Sequence, residues 1–416
     1  MSKPEVTTFG CRLNAFESEV ILAHAKAAGL KNTYLVNTCA VTAEAERQAR
    51  QAIRKLRRDH PDGKIVVSGC AAQIDPDSFA AMPEVDQVLG NEEKLRADSY
   101  LPAPAEGTVL VSDIMEATEI AGHLLSGFES RTRAFVQIQQ GCDHRCTFCI
   151  IPFGRGNSRS VPLGFLVDQV RQLVAAGHRE IVLTGVDISS YGGDLPGDPS
   201  LGQMCRRLLD QVSELERLRL SSLDPAVVDD DIIDLLKAEP RLMPHLHLSV
   251  QAGSDLILKR MKRRHDRQAV IDLCNRIRAA RPDVVFGADI IVGFPTETDA
   301  DFQETLELVE EAGLTYLHVF PYSPRQGTPA ARMPQLPKAV RKDRSAKLRE
   351  KGESAKGVFF DSLVGSTASV LSEASGRGYT EHYAPVEMET PLESGHLATV
   401  RITGHAEQVL TAEPLS

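Results

Sequence analysis

In the first hundred residues, apolar and polar positions follow the same order three times. A β-type run comes first, in "EVTTFG", "NTYLVNT" and "GKIVVSG", and a stretch with helical spacing follows each run. Strands that alternate with helices predict a parallel sheet with right-handed crossovers. Each run ends at a cysteine, Cys11, Cys39 or Cys70, and the carboxyl ends of parallel strands meet at one edge. We therefore expect these cysteines to share a metal site, with three separate buried structural cysteines as the alternative.

The alternation continues through the middle of the chain and changes near its end. Six further β-type runs precede helical stretches or the basic segment 338–356: "RAFVQIQQ", "EIVLTGVDI", "RLRLSSLDP", "HLHLSVQAG", "VVFGADIIVGFP" and "YLHVFPYSP". Six strand–helix units are fewer than the eight of a closed barrel. After residue 356, short β-type runs separated by turn residues predict a small β domain. The predicted domains are residues 1–112, 128–352 and 353–416.

Composition narrows the class of protein. The chain has 416 residues, of which 42% are hydrophobic and 25% charged, and no apolar stretch approaches the roughly 20 residues that span a bilayer. The start "MSKPEVTTFGC" lacks the basic and apolar regions of a secretory signal, so we expect a cytoplasmic protein without a membrane partner. Thiols stay reduced there, and clustered cysteines then indicate metal binding or catalysis rather than disulfides. The net charge of −10 argues against a protein that simply coats nucleic acid.

The segment "QGCDHRCTFCIIPFGRG" carries the most specific chemistry. Cys142, Cys146 and Cys149 have the spacing C-x3-C-x2-C, whose intervals span about 10–14 Å when extended. Three thiolates at this spacing fit a compact iron–sulfur cluster and leave one iron without a protein ligand. A zinc site with His144 as fourth ligand is the alternative, but the spacing is unusual for zinc and the histidine lies between two cysteines.

The cysteine spacing, with Phe148 just before the last cysteine, resembles the radical S-adenosylmethionine (SAM) superfamily. The resemblance implies a partial (β/α)6 barrel and an open iron that binds SAM, which the reduced cluster cleaves to a 5′-deoxyadenosyl radical. It also implies that Phe148 lies near the adenine. Active sites of barrel-like α/β folds lie at the carboxyl ends of the strands. The polar and glycine residues at those ends are therefore candidates for binding SAM and substrate: Gly185, Asp187, Ser222, Asp224, Ser249, Gln251 and Gly293, with Asp289 in mid-strand.

Three amino-terminal cysteines together with a SAM-type motif resemble the radical SAM methylthiotransferases over essentially the whole chain. The segments "FGCRLNAFESE", "NTCAVTAEAERQARQAIRK", "SGCAAQ", "DIIVGFPTET" and "SPRQGTPAARM" resemble the branch that acts on N6-threonylcarbamoyladenosine in tRNA. This implies an α/β fold with an amino-terminal parallel-sheet domain, the partial barrel and a small carboxyl-terminal TRAM-like β-barrel. It also implies that Cys11, Cys39 and Cys70 bind a second 4Fe-4S cluster, and that SAM supplies both the methyl group and the radical.

Other functions remain open at the level of sequence. Sibling methylthiotransferases act on isopentenyladenosine in tRNA or on an aspartate of a ribosomal protein. A rival from another class is a non-enzymatic electron-transfer or metal-sensing protein with two clusters. For the enzyme we expect an electron donor such as flavodoxin or ferredoxin, and a monomer.

Two expectations concern the tRNA substrate. The threonyl carboxylate is an anion, so its pocket needs a cation or a set of backbone donors. The candidate cations, expected near the mouth of the pocket, are Arg155, Arg263 and Arg325. Phosphate contacts rely on Lys and Arg. The run 259–267 has six of them, whereas the chain from Leu363 onward has two against seven glutamates. We therefore expect the run, rather than the carboxyl-terminal domain, to bind RNA phosphates.

Overall fold

The amino-terminal domain is built on a five-stranded parallel sheet. A computed structural model describes residues 2–101, 108–120, 127, 132–373 and 376–415 of the chain. The sheet order is β1-β2-β3-β4-β5. Its first three strands are the predicted ones, whereas β4 and β5 have only three residues each and leave no clear pattern. The elements are β1 (Glu5–Thr8), α1 (Arg12–Ala27), β2 (Thr33–Thr38), α2 (Ala43–Asp59), β3 (Lys64–Gly69), α3 (Cys70–Ile74), α4 (Pro76–Ala80), β4 (Gln87–Leu89) and β5 (Thr108–Leu110).

The central domain is the partial barrel that the sequence predicts. Two parallel sheets, β10-β9-β6 and β11-β12-β13-β14, are joined where the chain runs from β10 into β11, which gives six barrel positions. The short strands β7 and β8 pair beside it. The elements are β6 (Arg133–Gln137), β7 (Gln139–Gln140), α5 (Ile151–Arg155), β8 (Arg159–Ser160), α6 (Leu163–Ala175), β9 (Glu180–Thr184), α7 (Leu201–Gln211), β10 (Arg217–Leu220), β11 (Ser222–Leu223), α8 (Asp230–Ala238), β12 (His245–Gln251), α9 (Asp255–Met261), α10 (Arg267–Ala280), β13 (Val285–Val292), α11 (Asp299–Glu311) and β14 (Leu314–Pro321).

Each of these two domains contributes side chains to the core of the other. Phe16 and Val20 of α1 are buried in the main core of the central barrel. Conversely, Ile150, just after the last cysteine of the C-x3-C-x2-C segment, is buried in the core of the amino-terminal sheet. Because removing apolar surface from water drives association, this exchange holds the carboxyl edges of the two sheets against each other.

A small barrel closes the chain. Helix α12 (Lys338–Leu363) leads into it and crosses residue 352, the predicted domain boundary. The barrel has the closed order β15-β16-β17-β19-β18, as the resemblance implied. None of the helices among the described residues is both long and apolar enough to cross a membrane. The strands are β15 (Thr367–Ser372), β16 (Arg377–Thr380), β17 (Pro385–Met388), β18 (Leu397–Ala406) and β19 (Val409–Pro414).

Two buried arginines dock the small barrel onto the base of the central one. Arg217 donates to the backbone oxygen of Ser369 at 2.6 Å, and Arg219 donates to that of Thr380 at 2.8 Å. Glu180 lies between the two guanidinium groups and is completely buried. Its single carboxylate pairs with both arginines and so reduces the cost of burying their two positive charges.

We expect Glu180→Ala to destabilise this interface strongly. Removing one partner of a buried ion pair leaves an uncompensated charge and typically costs about 3–5 kcal/mol. Urea unfolding under anaerobic conditions measures the loss. Glu216→Ala is the matched control, because Glu216 pairs with Arg179 at the surface, where a pair is worth about 0–1 kcal/mol. Equal, small losses in both variants would contradict this account.

Candidate active site

Both groups of three cysteines line one cavity. The cavity has a volume of about 340 Å³ and lies where the carboxyl edge of the amino-terminal sheet faces that of the central barrel. Its lining includes Cys11, Cys39, Cys70, Cys142, Cys146 and Cys149. The geometry therefore brings together residues that are up to 138 positions apart in sequence.

Glycine turns allow the amino-terminal cysteines to approach one another. Gly10 has φ of +94° and Gly69 has φ of +97°, both in the left-handed region that favours glycine. A Cβ atom on Gly10 would also lie only 2.7 Å from the sulfur of Cys39. The Gly-Cys pairs at the ends of β1 and β3 thus supply both the turn and the space that the thiols need.

Backbone hydrogen bonds fix the second cysteine group. The amide of Cys142 donates to the carbonyl of Gly156 at 3.0 Å, and that of Thr147 donates to Met261 at 3.0 Å. The first bond ties the start of the segment to the end of α5, and the second ties its middle to the end of α9. The segment is therefore an ordered loop attached to two helices.

A buried ionic network lies beneath both groups. Arg155, at the end of α5, donates to Glu17 at 2.9 Å, and Lys94 donates to the same carboxylate at 2.6 Å. All three side chains are at most 1% exposed. Burial alone would raise the pKa of Glu17, but the two cations lower it to about 2. Arg155 also donates from Nε to the sulfur of Cys70 at 3.0 Å, so one guanidinium connects the central domain to an amino-terminal cysteine.

The polar strand ends that the sequence singled out lie around the same cavity. Asp187 is 3.9 Å from the sulfur of Cys142 and 3.2 Å from Nε2 of His144, so His144 faces a carboxylate. The hydroxyl groups of Ser222 and Ser249 are 2.9 Å apart. The predicted residues that line the cavity are Phe148, Gly185, Asp187, Ser222, Asp224, Ser249, Gln251 and Asp289.

The three candidate arginines are all engaged within the chain. Arg155 lines the cavity, but it belongs to the buried network and is only 1% exposed, so it does not lie at the mouth of the pocket as expected. Arg263 lines the cavity, but it pairs with Asp224 at 3.1 Å. Arg325 lies outside the lining and pairs with Glu46 at 3.0 Å. Sequence reasoning missed Glu17 and Lys94, because charged residues are almost never fully buried unless they are paired.

Sequence comparison shows which family this chain belongs to. The Radical SAM superfamily matches residues 136–309, and the Uncharacterized protein family UPF0004 matches residues 3–90. The threonylcarbamoyladenosine tRNA methylthiotransferase MtaB of Rickettsia prowazekii is 51% identical over 405 residues, which cover 97% of this chain and 96% of that protein. The chain belongs to the radical SAM methylthiotransferases.

Two further proteins share less sequence with this methylthiotransferase. The tRNA-2-methylthio-N(6)-dimethylallyladenosine synthase of Cereibacter sphaeroides is 36% identical over 430 residues, which cover 99% of this chain and 98% of that protein. A solved structure of the radical SAM methyltransferase TsrM from Kitasatospora setae, with cobalamin and a 4Fe-4S cluster bound, has a TM-score of 0.56 at 14% identity. It covers 80% of this chain and 74% of that chain, and shows a shared fold.

The family implies two 4Fe-4S clusters and SAM, and the side chains of the cavity fit them. Burial raises the pKa of Cys39 to about 12, and that of Cys142, helped by the charge of Asp187, to about 12. Thiolates here therefore need a compensating positive charge, which cluster irons supply. Arg263 approaches the sulfur of Cys146 at 3.6 Å, and its buried Nε has no hydrogen-bond partner among the described residues. Such a donor would suit the anionic sulfur atoms of a cluster held at Cys146.

We expect Arg155→Met to change the iron loading and the reduction potential of a cluster bound by the amino-terminal cysteine group. The change removes a hydrogen bond and a positive charge from the sulfur of Cys70, and both influence the potential of an iron–sulfur cluster. In a background with Cys142, Cys146 and Cys149 changed to Ala, the remaining cluster should load less iron and have a more negative reduction potential. Iron analysis and an EPR-monitored redox titration measure the two effects.

Arg325→Met is the matched control for this variant. Arg325 also pairs with a glutamate, Glu46, but lies outside the cavity lining. Its loss should leave iron content and potential unchanged. If Arg155→Met behaves like this control, the guanidinium does not influence the cluster.

Proposed function

We propose that this protein transfers a methylthio group to carbon 2 of N6-threonylcarbamoyladenosine next to the anticodon of tRNA, with SAM as methyl donor and radical source. The observation that carries the proposal is the cavity in which both cysteine groups meet. The family supports it: the Rickettsia relative that is 51% identical is named for this substrate, whereas the dimethylallyladenosine synthase is 36% identical.

The two cysteine groups have separate roles in this proposal. Cys142, Cys146 and Cys149 hold the cluster whose open iron binds SAM, and Cys11, Cys39 and Cys70 hold the auxiliary cluster. When bound, these groups supply a 5′-deoxyadenosyl radical and the sulfur to be transferred. Two cofactors are needed because an aromatic C–H bond offers neither a leaving group nor an acidic proton, so the hard step belongs to the cofactors. The chain binds, orients and shields the reactants.

Polar groups of the cavity would bind SAM, and an adjoining apolar pocket would bind the base. Gly185, Asp187, Ser222, Ser249 and Gln251 provide the polar groups for SAM, and Phe148 lies beside the last cluster cysteine to contact the adenine. A neighbouring pocket adjoins this cavity and is otherwise mostly apolar; the two share Val41, Phe148, Cys149, Ile151, Gln251 and Asp289. Its walls combine a loop residue of the amino-terminal domain, Val41, with residues of the central domain: Ile151 of α5, Ile291 of β13, Phe320 of β14 and Tyr322 just after β14. A flat base fits between such walls, which also exclude water.

The basic run 259–267 offers phosphates fewer free charges than its sequence suggests. Arg263 is turned inward, and Arg267 pairs with Glu311 at 2.7 Å. Lys259, Lys262 and Arg264 are exposed, although Arg264 also contacts Asp224. We propose that these three exposed cations bind the tRNA backbone.

We further propose that flavodoxin or ferredoxin donates electrons, and that the enzyme acts as a cytoplasmic monomer.

We expect the reconstituted enzyme to convert threonylcarbamoyladenosine in tRNA to its 2-methylthio form. Two cubane clusters correspond to about eight irons per chain. A variant with Cys11, Cys39 and Cys70 changed to Ala should keep about half of the iron and still cleave SAM to 5′-deoxyadenosine, but should form no methylthio product. Iron analysis and nucleoside mass spectrometry measure these outcomes.

Two results would contradict the proposal in different ways. Full iron content in the triple variant would show that the amino-terminal cysteines hold no cluster. Turnover of isopentenyladenosine tRNA, with none of the threonylcarbamoyl form, would assign the enzyme to the sibling branch.

We expect Lys259, Lys262 and Arg264, changed together to Ala, to weaken tRNA binding and to flatten its salt dependence by about two units in log affinity against log salt. The physical reason is that each phosphate contact releases condensed counterions. Arg377 and Arg401 changed to Ala are the control, since both are exposed on the acidic carboxyl-terminal barrel. An unchanged slope in the triple variant would show that the run is only a solvated surface.

A further inference from the structure

The proposed substrate carries an anion that the three candidate arginines do not meet. Arg155 is fully buried, Arg263 pairs with Asp224, and Arg325 pairs with Glu46. A threonyl carboxylate buried without a charged or polar partner would be costly. Another side chain near the cavity can supply the partner.

One cluster of side chains on the inner face of the barrel has the required chemistry. His247, Asp289 and His318 lie on the neighbouring parallel strands β12, β13 and β14. Nε2 of His247 is 2.9 Å from Oδ1 of Asp289, and Nδ1 of His318 is 3.2 Å from the same oxygen. Asp289 also accepts a hydrogen bond from Ser222 at 3.0 Å. It lines both cavities, so the cluster borders the proposed reaction space.

The exposures of the two histidines distinguish their roles. His247 is buried, whereas the side chain of His318 is 58% exposed. Burial alone would raise the pKa of Asp289, but the hydrogen bonds and charges of the two histidines lower it. The carboxylate is therefore ionised and accepts a hydrogen bond from Nδ1 of His318. Nε2, on the other side of the exposed ring, is the nitrogen that can meet a ligand, and an imidazolium donates from both nitrogens.

A second side chain on the same face of β14 lines the apolar pocket. Phe320 follows His318 by two residues, and the side chains of a strand alternate with period two, so both lie on one face. Phe320 is 37% exposed and lines the pocket that we assign to the base. A base beside Phe320 would bring its N6 substituent within reach of His318.

We propose that Nε2 of His318 binds the carboxylate of the threonylcarbamoyl group, with Asp289 holding the ring in position. This inference rests on the proposed function, because it names the residue that would select that substrate. A metal ion is the competing occupant, since the ligand atoms of His247, Asp289 and His318 all lie within 4.8 Å of one another. The open Nε2 and the 58% exposure of the His318 side chain favour the carboxylate.

The test compares an acidic with a neutral substrate. tRNA is assembled by ligation with a synthetic segment that carries threonylcarbamoyladenosine either as the free acid or as its methyl ester. A charge-assisted hydrogen bond should make KM for the acid roughly 10- to 100-fold lower than for the ester. In His318→Phe and His318→Gln, KM for the acid should rise to that of the ester. KM for the ester and the formation of 5′-deoxyadenosine without tRNA should stay the same.

His396→Phe is the matched control. His396 has the same side-chain exposure as His318, 58%, and the same 3.2 Å distance to an acidic partner, Glu393, but lies in the carboxyl-terminal domain. It should retain the preference for the acid. Iron content and circular dichroism confirm that each variant is folded and loaded.

The outcomes separate this inference from the proposed function. If the His318 variants still prefer the acid to the ester, His318 does not bind the carboxylate, while the proposed function stands. If the wild type turns over neither form, the proposed function fails. Stoichiometric binding of Zn²⁺ to the wild type, lost in His318→Phe and competing with the acid substrate, would assign the cluster to a metal instead.

Discussion

The completely buried carboxylate of Glu17 constrains how the two main domains meet. A carboxylate cannot leave water unless it is paired and hydrogen-bonded, and its partners come from both sides of the domain boundary. Lys94 belongs to the amino-terminal domain, and Arg155 follows the C-x3-C-x2-C segment in the central domain. Neither domain alone can satisfy the carboxylate with both cations. Docking is therefore part of folding, and it fixes the distance between the two cysteine groups.

The position of Arg155 explains why two redox sites can share one cavity. Helix α5 begins two residues after Cys149 and ends at Arg155, whose Nε reaches the sulfur of Cys70. This short rigid element connects a ligand of one proposed cluster to a ligand of the other. The loops around it stay ordered because backbone hydrogen bonds tie them to α5 and α9. These fixed elements therefore set the separation of the two cysteine groups.

Local patterns predicted the elements of the fold and the cysteines, because both depend on short-range signals. The Gly-Cys ends of β1 and β3 mark a turn and a proposed ligand within two residues. The pairing of side chains across the cavity had no such signal. Glu17, Lys94 and Arg155 resemble ordinary surface charges in sequence, and only the docked domains remove them from water. For the same reason the sequence predicts substrate contacts for Arg155, Arg263 and Arg325, although carboxylates on distant elements already engage them.

The carboxyl-terminal barrel is also held by buried charged side chains that cross a domain boundary, at the opposite edge of the central domain. Arg217 and Arg219 donate to its backbone oxygens, and Tyr383 lies within cation–π distance of Arg12, Arg133 and Arg219. Arg12 directly follows Cys11 in the chain, so one aromatic ring contacts residues from both other domains. An acidic barrel suits this arrangement, because its role in the contact is to accept hydrogen bonds and cations. Basic residues on its docking face would repel the arginines that hold it, so this face must lack them.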